Sequence, residues 1–237
     1  MDENSSAGQP ITEAQALERL EQRQDPSQRY YAAWWLGRMR CDSPKAISLL
    51  LEALRNVLND AASTDELMVA RNAARALGKL KAPKAIPSLL EALEHTDHDL
   101  REDAARSLGE SGDQRAIPAL LKTLSHSQID AKAASTARLD QPCEALLEAI
   151  GYLAKGSQDT SICDELQRFC LHPRPMVQSA ACRALVLVSG NGHWAEGILK
   201  LLNDPEPLIR RGAVLDLGAS GWSCLLYTSD AADEVLG

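Results

Sequence analysis

Four aromatic side chains lie within one short stretch of a chain that is otherwise poor in aromatics. Tyr30, Tyr31, Trp34 and Trp35 belong to a 237-residue sequence that contains only 4 Trp, 4 Tyr and 1 Phe. In a helix, Tyr30 and Trp34 lie one turn apart on the same face. Flat rings at this spacing can stack on a conjugated ligand. This stretch, residues 30–35, is the first candidate binding feature and is called the aromatic block.

Arginines recur at the positions that correspond to the aromatic block in later segments. When the similar segments are aligned on their last residue, Trp34 corresponds to Arg75 and Arg106. In the same alignment Tyr30 corresponds to Arg71. A guanidinium group pairs with a carboxylate through two parallel hydrogen bonds. Because these columns are mostly charged elsewhere, they are predicted to face solvent on the concave side of a repeat array.

Two acids, Glu102 and Asp103, precede Arg106 on its segment and are the candidate catalytic residues. A carboxylate can accept hydrogen bonds from the N–H groups of a ligand. A plainer alternative is that these acids and the arginines are only solvated helix-surface charges. For the aromatics, the alternative is that a helix over residues 11–23 covers Tyr30 and Trp34 as ordinary packing. Tyr31 and Trp35 align with small residues, which favours a packing role at one end of the array.

These residues are positioned by a repeat. Six segments share a pattern of small and apolar residues that ends in Leu-Gly or its equivalent: AAWWLG, AARALG, AARSLG, LLEAIG, ACRALV and AVLDLG. Three further segments, which begin at Ala46, Ala85 and Ala116, read Ala-Ile-x-x-Leu-Leu or close to it, and each opens an amphipathic helix. A period of about 31 to 35 residues is typical of stacked helical pairs. The predicted fold is therefore all-α, a helical-repeat solenoid, or α-α superhelix.

Composition excludes several other classes of protein. The net charge of −8 counts against nucleic acid as a partner. No apolar run approaches the length needed to span a bilayer, so no membrane insertion is expected. Six cysteines without a CxxC pair and without a visible leader indicate reduced thiols and a cytoplasmic protein. Cys163, Cys170 and His172 cluster in sequence, but their spacing fits no common zinc site, and no metal is expected.

Several other residues are predicted to be structural. Arg29, Arg101 and Arg210 each precede an alanine of the repeat by three residues and should tie adjacent repeats together. Cys143 and Cys182 occupy core columns and should be buried as small apolar side chains. His193 and Trp194 stand in a turn and are a possible contact for a partner.

The predicted organisation has three parts. Residues 1–10 are expected to be a disordered N-terminus, and residues 11–222 form the solenoid, with surface insertions near 59–66 and 125–140. The last part, 223–237, does not continue the repeat. Its sequence CLLYTSDAADE looks like a translated sequencing adapter, so this tail is expected to be an artefact that replaces the true C-terminus.

The sequence resembles a known family. The block RYYAAWWLGR, with ARNAARALGKL, PCEALLEAIG and HPRPMVQSAACRAL, is similar to the E-type subunit of the heterodimeric E/F phycocyanobilin lyases of cyanobacteria. That family has HEAT-like repeats. The resemblance implies a lyase that, with an F-type partner, attaches phycocyanobilin or a related linear tetrapyrrole through a thioether to a cysteine of the phycocyanin α subunit. The bilin is then a substrate, and no permanently bound cofactor is expected.

The resemblance also gives the candidate residues a ligand. A bilin has conjugated rings and two propionates, which suit the aromatic block and the three arginines. Because the reacting thiol belongs to the acceptor protein, the lyase need only bind and orient the bilin, with a proton donor as a further contribution. Two alternatives stay open, namely a lyase-isomerase for a different bilin and a non-catalytic HEAT-repeat scaffold that binds phycobiliproteins.

Overall fold

The computed structural model describes residues 11–58, 62–130, 132–135 and 137–222. Across these residues every regular element is a helix, which confirms the all-α prediction. The segments 1–10 and 223–237, predicted to be a disordered N-terminus and an artefactual tail, lie outside the described residues. The chain divides into two compact units, Met1–Asp113 and Gln114–Gly237.

The first unit contains three antiparallel helical pairs. Its helices are α1 (Glu13–Glu21), α2 (Pro26–Arg38), α3 (Pro44–Leu58), α4 (Thr64–Lys79), α5 (Ile86–Ala92) and α6 (His98–Ser111). Within pairs, α1 packs on α2, α3 on α4, and α5 on α6. Between pairs, α2 packs on α4 and α4 on α6, so these second helices form one continuous layer. This layer carries every candidate site residue.

Local sequence signals explain where the second helices begin. Asp25 caps α2 by accepting from the N–H of Ser27, and Pro26 occupies the first turn, where its missing N–H costs nothing. Ser63 and Glu66 form a reciprocal capping box at the start of α4. Asp97 caps α6 by accepting from the N–H of Leu100. Each cap satisfies N–H groups that would otherwise lack a partner.

Small residues let the second helices approach closely. A Cβ placed on Gly37 would lie 2.7 Å from the Ala76 Cα, and one on Gly78 would lie 2.6 Å from the Ser107 Cα. Both distances are far below van der Waals contact. The repeated Leu-Gly ending therefore serves as a contact between neighbouring helices, and not mainly as a helix stop.

The second unit contains α7 (Ile117–Ser125), α8 (Lys132–Ser135), α9 (Cys143–Leu153), α10 (Thr160–Gln167), α11 (Pro175–Ser189), α12 (Ala195–Leu201) and α13 (Pro207–Ala219). α11 is its central helix and packs against α9, α10, α12 and α13. Cys143 and Cys182 are buried here, as predicted. A Cβ on Gly151 would lie 2.9 Å from the Ala184 Cα, so the close helix contact recurs in this unit.

The two predicted insertions differ from simple surface loops. The first is shortened because α4 begins at Thr64, inside the expected range of 59–66. The second, 125–140, contains α8 and buries Ala133 and Leu139. The backbone carbonyl of Ala133 also accepts a hydrogen bond from Arg174 Nε at 2.8 Å. The second insertion is therefore packed onto its unit.

The three arginines predicted to join adjacent repeats bind within single pairs. Arg29 Nε donates to the carbonyl of Leu20, at the end of the helix that pairs with its own. Arg101 Nη1 donates to the carbonyls of His95 and Thr96, in the loop before its helix. Arg210 makes the same contacts with the carbonyls of residues 204 and 205. Each arginine thus fixes the turn between the two helices of a pair.

Candidate functional site

The aromatic block places three rings at the surface of α2. The side chains of Tyr30, Tyr31 and Trp34 are 42%, 42% and 43% exposed, and the ring centroids of Tyr31 and Trp34 are 5.5 Å apart. We call these three residues the aromatic patch. Trp35 is partly buried, in keeping with a packing role. Helix α1 packs against α2 but leaves the patch exposed, so the alternative in which a capping helix covers Tyr30 and Trp34 is wrong.

Helix α4 packs beside α2 in the layer of second helices, and its polar side chains extend the surface on which the aromatic patch lies. Asn72 Nδ2 donates to the backbone carbonyl of Tyr30 at 3.1 Å, and Arg75 Nη1 donates to Asn72 Oδ1 at 3.3 Å. Arg75 Nε in turn donates to Asp103 Oδ1, on α6, at 2.7 Å. These hydrogen bonds link all three second helices and hold the Arg75 guanidinium in one orientation. Trp34, Arg75 and Arg106, which the alignment places in one column, are all exposed in this unit.

Of the three candidate arginines, Arg71 makes the most contacts with acidic side chains among the described residues. Its Nε and Nη2 contact the two carboxylate oxygens of Asp97 at 3.0 and 2.6 Å. Its Nη1 lies 3.0 Å from Asp99 Oδ2. Two acids thus neutralise this guanidinium, whose side chain is 23% exposed. A ligand role for Arg71 stays a prediction, and it would require breaking this clamp.

Arg106 and Glu102 form an ion pair one turn apart on α6. Arg106 Nη2 lies 2.8 Å from Glu102 Oε1. Pairs of this kind on an exposed helix face contribute only about 0.3–0.5 kcal/mol. The pair can open at small cost, but in the structure each charge offsets the other. Roles for these two residues in ligand binding or catalysis remain predictions.

Arg75 is a candidate arginine that combines an exposed side chain with a fixed orientation. Its side chain is 51% exposed, and within the described part of the chain Nη2 makes no hydrogen bond. Trp34 occupies the corresponding position on the neighbouring helix. A flat ligand with a carboxylate could therefore stack on the aromatic patch and reach Arg75 at the same time.

Asp103 is the buried member of the pair that orients Arg75. Its side chain is only 6% exposed, and Oδ2 has no hydrogen-bond partner among the described residues. Burial raises the pKa of the Asp103 carboxyl above its ordinary value, and the Arg75 guanidinium opposes this only in part. The group is thus easier to protonate than an ordinary aspartate. This gives it the chemistry of a proton donor, although its place beneath Arg75 favours a positioning role.

The corresponding positions on α11 of the second unit do not face solvent, contrary to the prediction from the alignment. Arg183 is 8% exposed and pairs with Asp216 at 2.8 Å, with Glu148 3.7 Å away. Its guanidinium carbon lies 5.9 Å from the centroid of the Tyr152 ring. Ser179, in the Tyr30 column, is fully buried. The aligned positions of α11 therefore contribute to packing, because other helices surround α11.

A basic pocket at the carboxyl ends of α2, α4 and α6 was missed by the sequence reasoning. It has a volume of about 270 Å³ and is lined by Gly37, Arg38, Arg40, Gly78, Lys79, Lys81 and Glu110. Arg38 and Lys79 follow Trp34 and Arg75 by four residues and so continue the same helix faces. This spacing was the signal that could have revealed the pocket.

The remaining candidate residues have structural contacts. Both ring nitrogens of His172 are used, by the carbonyl of Gln128 and the N–H of Arg174, which leaves neither for a metal. Cys170 Sγ lies 3.7 Å from Cys182 Sγ. His193 stacks obliquely on Trp194, at 5.7 Å between ring centroids. A partner contact at this last pair stays a prediction.

One group of side chains in the first unit has the composition of a metal site. His98, Asp99 and Glu102 place possible ligand atoms within 4.8 Å of one another. However, Asp99 contacts Arg71, and Glu102 contacts Arg106. Because guanidinium groups already engage both carboxylates, the arrangement is explained by ion pairing.

No helix in the described part of the chain combines the length and the apolar character that crossing a bilayer requires.

Comparison with known families agrees with this architecture. Residues 56–139 match the family described as HEAT repeats, and residues 28–56 match the PBS lyase HEAT-like repeat. The chain is therefore a HEAT-repeat protein, which confirms the predicted repeat class. The second match includes the whole aromatic patch.

Full-length relatives narrow the class further. The chain is 45% identical to the bilin biosynthesis protein RpcE of Synechococcus sp. strain WH8020, over 94% of this chain and 84% of the relative. It is 41% identical to the phycocyanobilin lyase subunit alpha of Synechococcus elongatus, over 94% and 80% of the two chains. The chain belongs to the family of phycocyanobilin lyase alpha subunits. It is a lyase subunit, and the resemblance described above is confirmed.

A solved structure shows the same fold. In the complex of CpcE and CpcF of phycocyanin lyase from Nostoc sp. PCC7120, one chain is similar to this one with a TM-score of 0.76 and 38% sequence identity. The match covers 94% of this chain and 82% of that chain. The fold and the family membership thus rest on independent comparisons.

Proposed function

We propose that this chain binds a linear tetrapyrrole, phycocyanobilin or a close relative, on the aromatic patch beside Arg75. In this proposal the chain works with an F-type partner to attach the bilin through a thioether to a cysteine of the phycocyanin α subunit. The observation that carries the proposal is the exposed pair Tyr31 and Trp34 next to a guanidinium held in place by Asp103. Membership of the lyase family supports the choice of bilin as ligand.

The chemistry asked of this chain is binding and orientation. The sulfur nucleophile belongs to the acceptor, so the lyase needs no cysteine of its own. Aromatic rings would hold the conjugated system flat, and Arg75 would pair with a carboxylate and set the position of the bilin along the surface. Holding two reactants in one geometry can replace a large part of the entropic cost of a bimolecular reaction. Asp103 contributes by fixing the direction of Arg75.

The proposed partner follows from the relatives. The solved neighbour is half of a complex with an F-type chain, and we extend that arrangement to this protein. The names of the lyase relatives support a phycobiliprotein as the proposed acceptor, and the choice of its α subunit is part of the proposal.

Reconstitution tests the proposal directly. This chain, an F-type partner, phycocyanobilin and the apo-α subunit should yield a covalent chromophore that survives denaturation and absorbs visible light. A rate no higher than that of the spontaneous reaction would contradict catalysis. Bilin binding without any rate gain would favour the scaffold, and attachment of a changed bilin would favour the lyase-isomerase.

A further inference from the structure

The basic pocket concentrates positive charge in a protein that is acidic as a whole. Four cations line it, Arg38, Arg40, Lys79 and Lys81, and Glu110 is the one acid in the lining. The whole chain carries a formal charge of −8. A local excess of this kind creates a positive potential that attracts anions.

The four cations of the basic pocket form no ion pairs with acids of the described residues. Arg40 Nη1 donates to the backbone carbonyl of Lys79 at 2.9 Å, which fixes the guanidinium, and no acid in the described ranges pairs with it. Across the described residues, Arg38, Lys79 and Lys81 make no ion pair. Arg71 and Arg106 are different, since acids neutralise both. The charges available to a ligand therefore lie mainly in this pocket.

The pocket lies one helical turn beyond the aromatic patch. On α2, Trp34 and Arg38 are four residues apart and share a face, and on α4 the same holds for Arg75 and Lys79. The close contact at Gly37 brings these two helices together, so that cations from both line one cavity. A ligand that stacks on Trp34 would extend toward the pocket within one helical turn, about 5.4 Å.

We infer that the basic pocket binds the propionate carboxylates of the tetrapyrrole that lies on the aromatic patch. The inference rests on the proposed function. At about 270 Å³, the cavity is smaller than the 300–1,000 Å³ of pockets that enclose whole ligands. A cavity of this size can hold the two propionate groups of the bilin, while the rings lie outside it on the aromatic patch. Arg38, Arg40, Lys79 and Lys81 are therefore the principal anchors, with Arg75 between them and the rings.

A purely structural explanation of the cations makes a different prediction. Positive side chains near a helix C-terminus interact favourably with the helix dipole, by about 0.3–1 kcal/mol each. If that were their whole role, their removal would lower stability and leave ligand discrimination unchanged. Binding of carboxylates is therefore the property to measure.

The first test compares two probes on the unsubstituted chain with its F-type partner. Visible absorption titrations at 150 mM salt, an ionic strength at which exposed charges are screened beyond about 8 Å, give dissociation constants for phycocyanobilin and for its dimethyl ester. The esters keep the rings and remove both carboxylate charges. We expect the ester to bind about tenfold more weakly. Equal affinities would overturn this inference alone, whereas failure to bind either probe would contradict the proposed function itself.

The second test locates the anchor. The double variant Arg38→Gln with Lys79→Gln should bind the free acid about tenfold more weakly and the dimethyl ester as before. Lys155→Gln with Lys200→Gln is the matched control, because it removes two exposed cations from the second unit and changes the net charge equally. Equal weakening for acid and ester, or equal effects of both double variants, would overturn the assignment. Circular dichroism confirms folding, and the first test requires no variant.

Discussion

Arg75 Nε lies 2.7 Å from Asp103 Oδ1, on a neighbouring helix, while the other oxygen of Asp103 is buried and has no hydrogen-bond partner within the described ranges. The pair is asymmetric, since the arginine side chain is 51% exposed and the aspartate side chain 6%. The exposed guanidinium of Arg75 is therefore oriented by the buried carboxyl of Asp103. This relationship lets the surface charge of Arg75 stand beside Trp34 in one fixed direction.

The raised pKa of Asp103 predicts how stability depends on pH. Because the folded pKa lies above the unfolded value of about 3.9, this group favours the folded state below that pH. The contribution is lost as pH rises through the folded pKa. The asparagine in the Asp103→Asn variant does not titrate, so the free energy of unfolding of this variant should rise relative to that of the parent as pH increases above about 3.9. Urea unfolding across this range measures the difference, and a falling difference would contradict the assignment.

Asp97 should behave in the opposite way. Burial acts to raise the pKa of the Asp97 carboxyl, but hydrogen bonds from Arg71 and from the N–H of Leu100 outweigh it, so the pKa lies below its ordinary value. Its contribution is present above the unfolded pKa and lost as pH falls through the folded one. Asp97→Asn should therefore cost about 1–3 kcal/mol at pH 7, and less at pH 3. The same unfolding series measures it, and a cost independent of pH would count against the Arg71 clamp.

The close helix contact predicts a contrast between two glycines of the same repeat position. Gly78→Ala would place a Cβ 2.6 Å from the Ser107 Cα, so we expect a loss of about 1–3 kcal/mol from forced separation of α4 and α6. Gly218→Ala is the control, because a Cβ there meets no atom of the residues that the structure describes within 4 Å. Its higher helix propensity should add up to about 1 kcal/mol. Thermal unfolding of both variants provides the comparison, and similar effects would show that the glycine serves another purpose.

The aromatic patch predicts a binding defect without a folding defect. Trp34→Ala should weaken bilin binding about tenfold, since it removes the largest stacking surface of the patch. Stability should change by less than about 1 kcal/mol, because the side chain is 43% exposed. Leu215→Ala, at the corresponding position of α13 and 63% exposed, is the matched control and should bind normally. Unchanged affinity in the Trp34 variant would remove the patch from the site.

Much of the architecture could be predicted from local pattern. The repeated Leu-Gly ending, the Asp and Ser caps and the prolines of the first turns all depend on residues close in sequence, and the structure confirms the helices that they define. The exposure predicted from the alignment also held in the first unit, where Trp34, Arg75 and Arg106 of one column are all exposed. It did not hold for Arg183, because neighbouring helices surround α11, whereas Leu215 in the same column is exposed on α13. A repeat pattern predicts which residues share a face, but not what packs on that face.

The sequence by itself determined the helical pairs, their spacing and the concentration of aromatics on α2, since these follow from periodicity within single helices. Only the tertiary structure decided which charges are available to a ligand. Arg71, Arg75 and Arg106 occupy similar repeat positions, yet Asp97 and Asp99 neutralise the first, Asp103 orients the second and Glu102 pairs with the third. Arg38 and Lys79 come together only because Gly37 lets two helices touch. The physical reason is that electrostatic pairing depends on distances of a few ångströms between different helices, which no single helical pattern records.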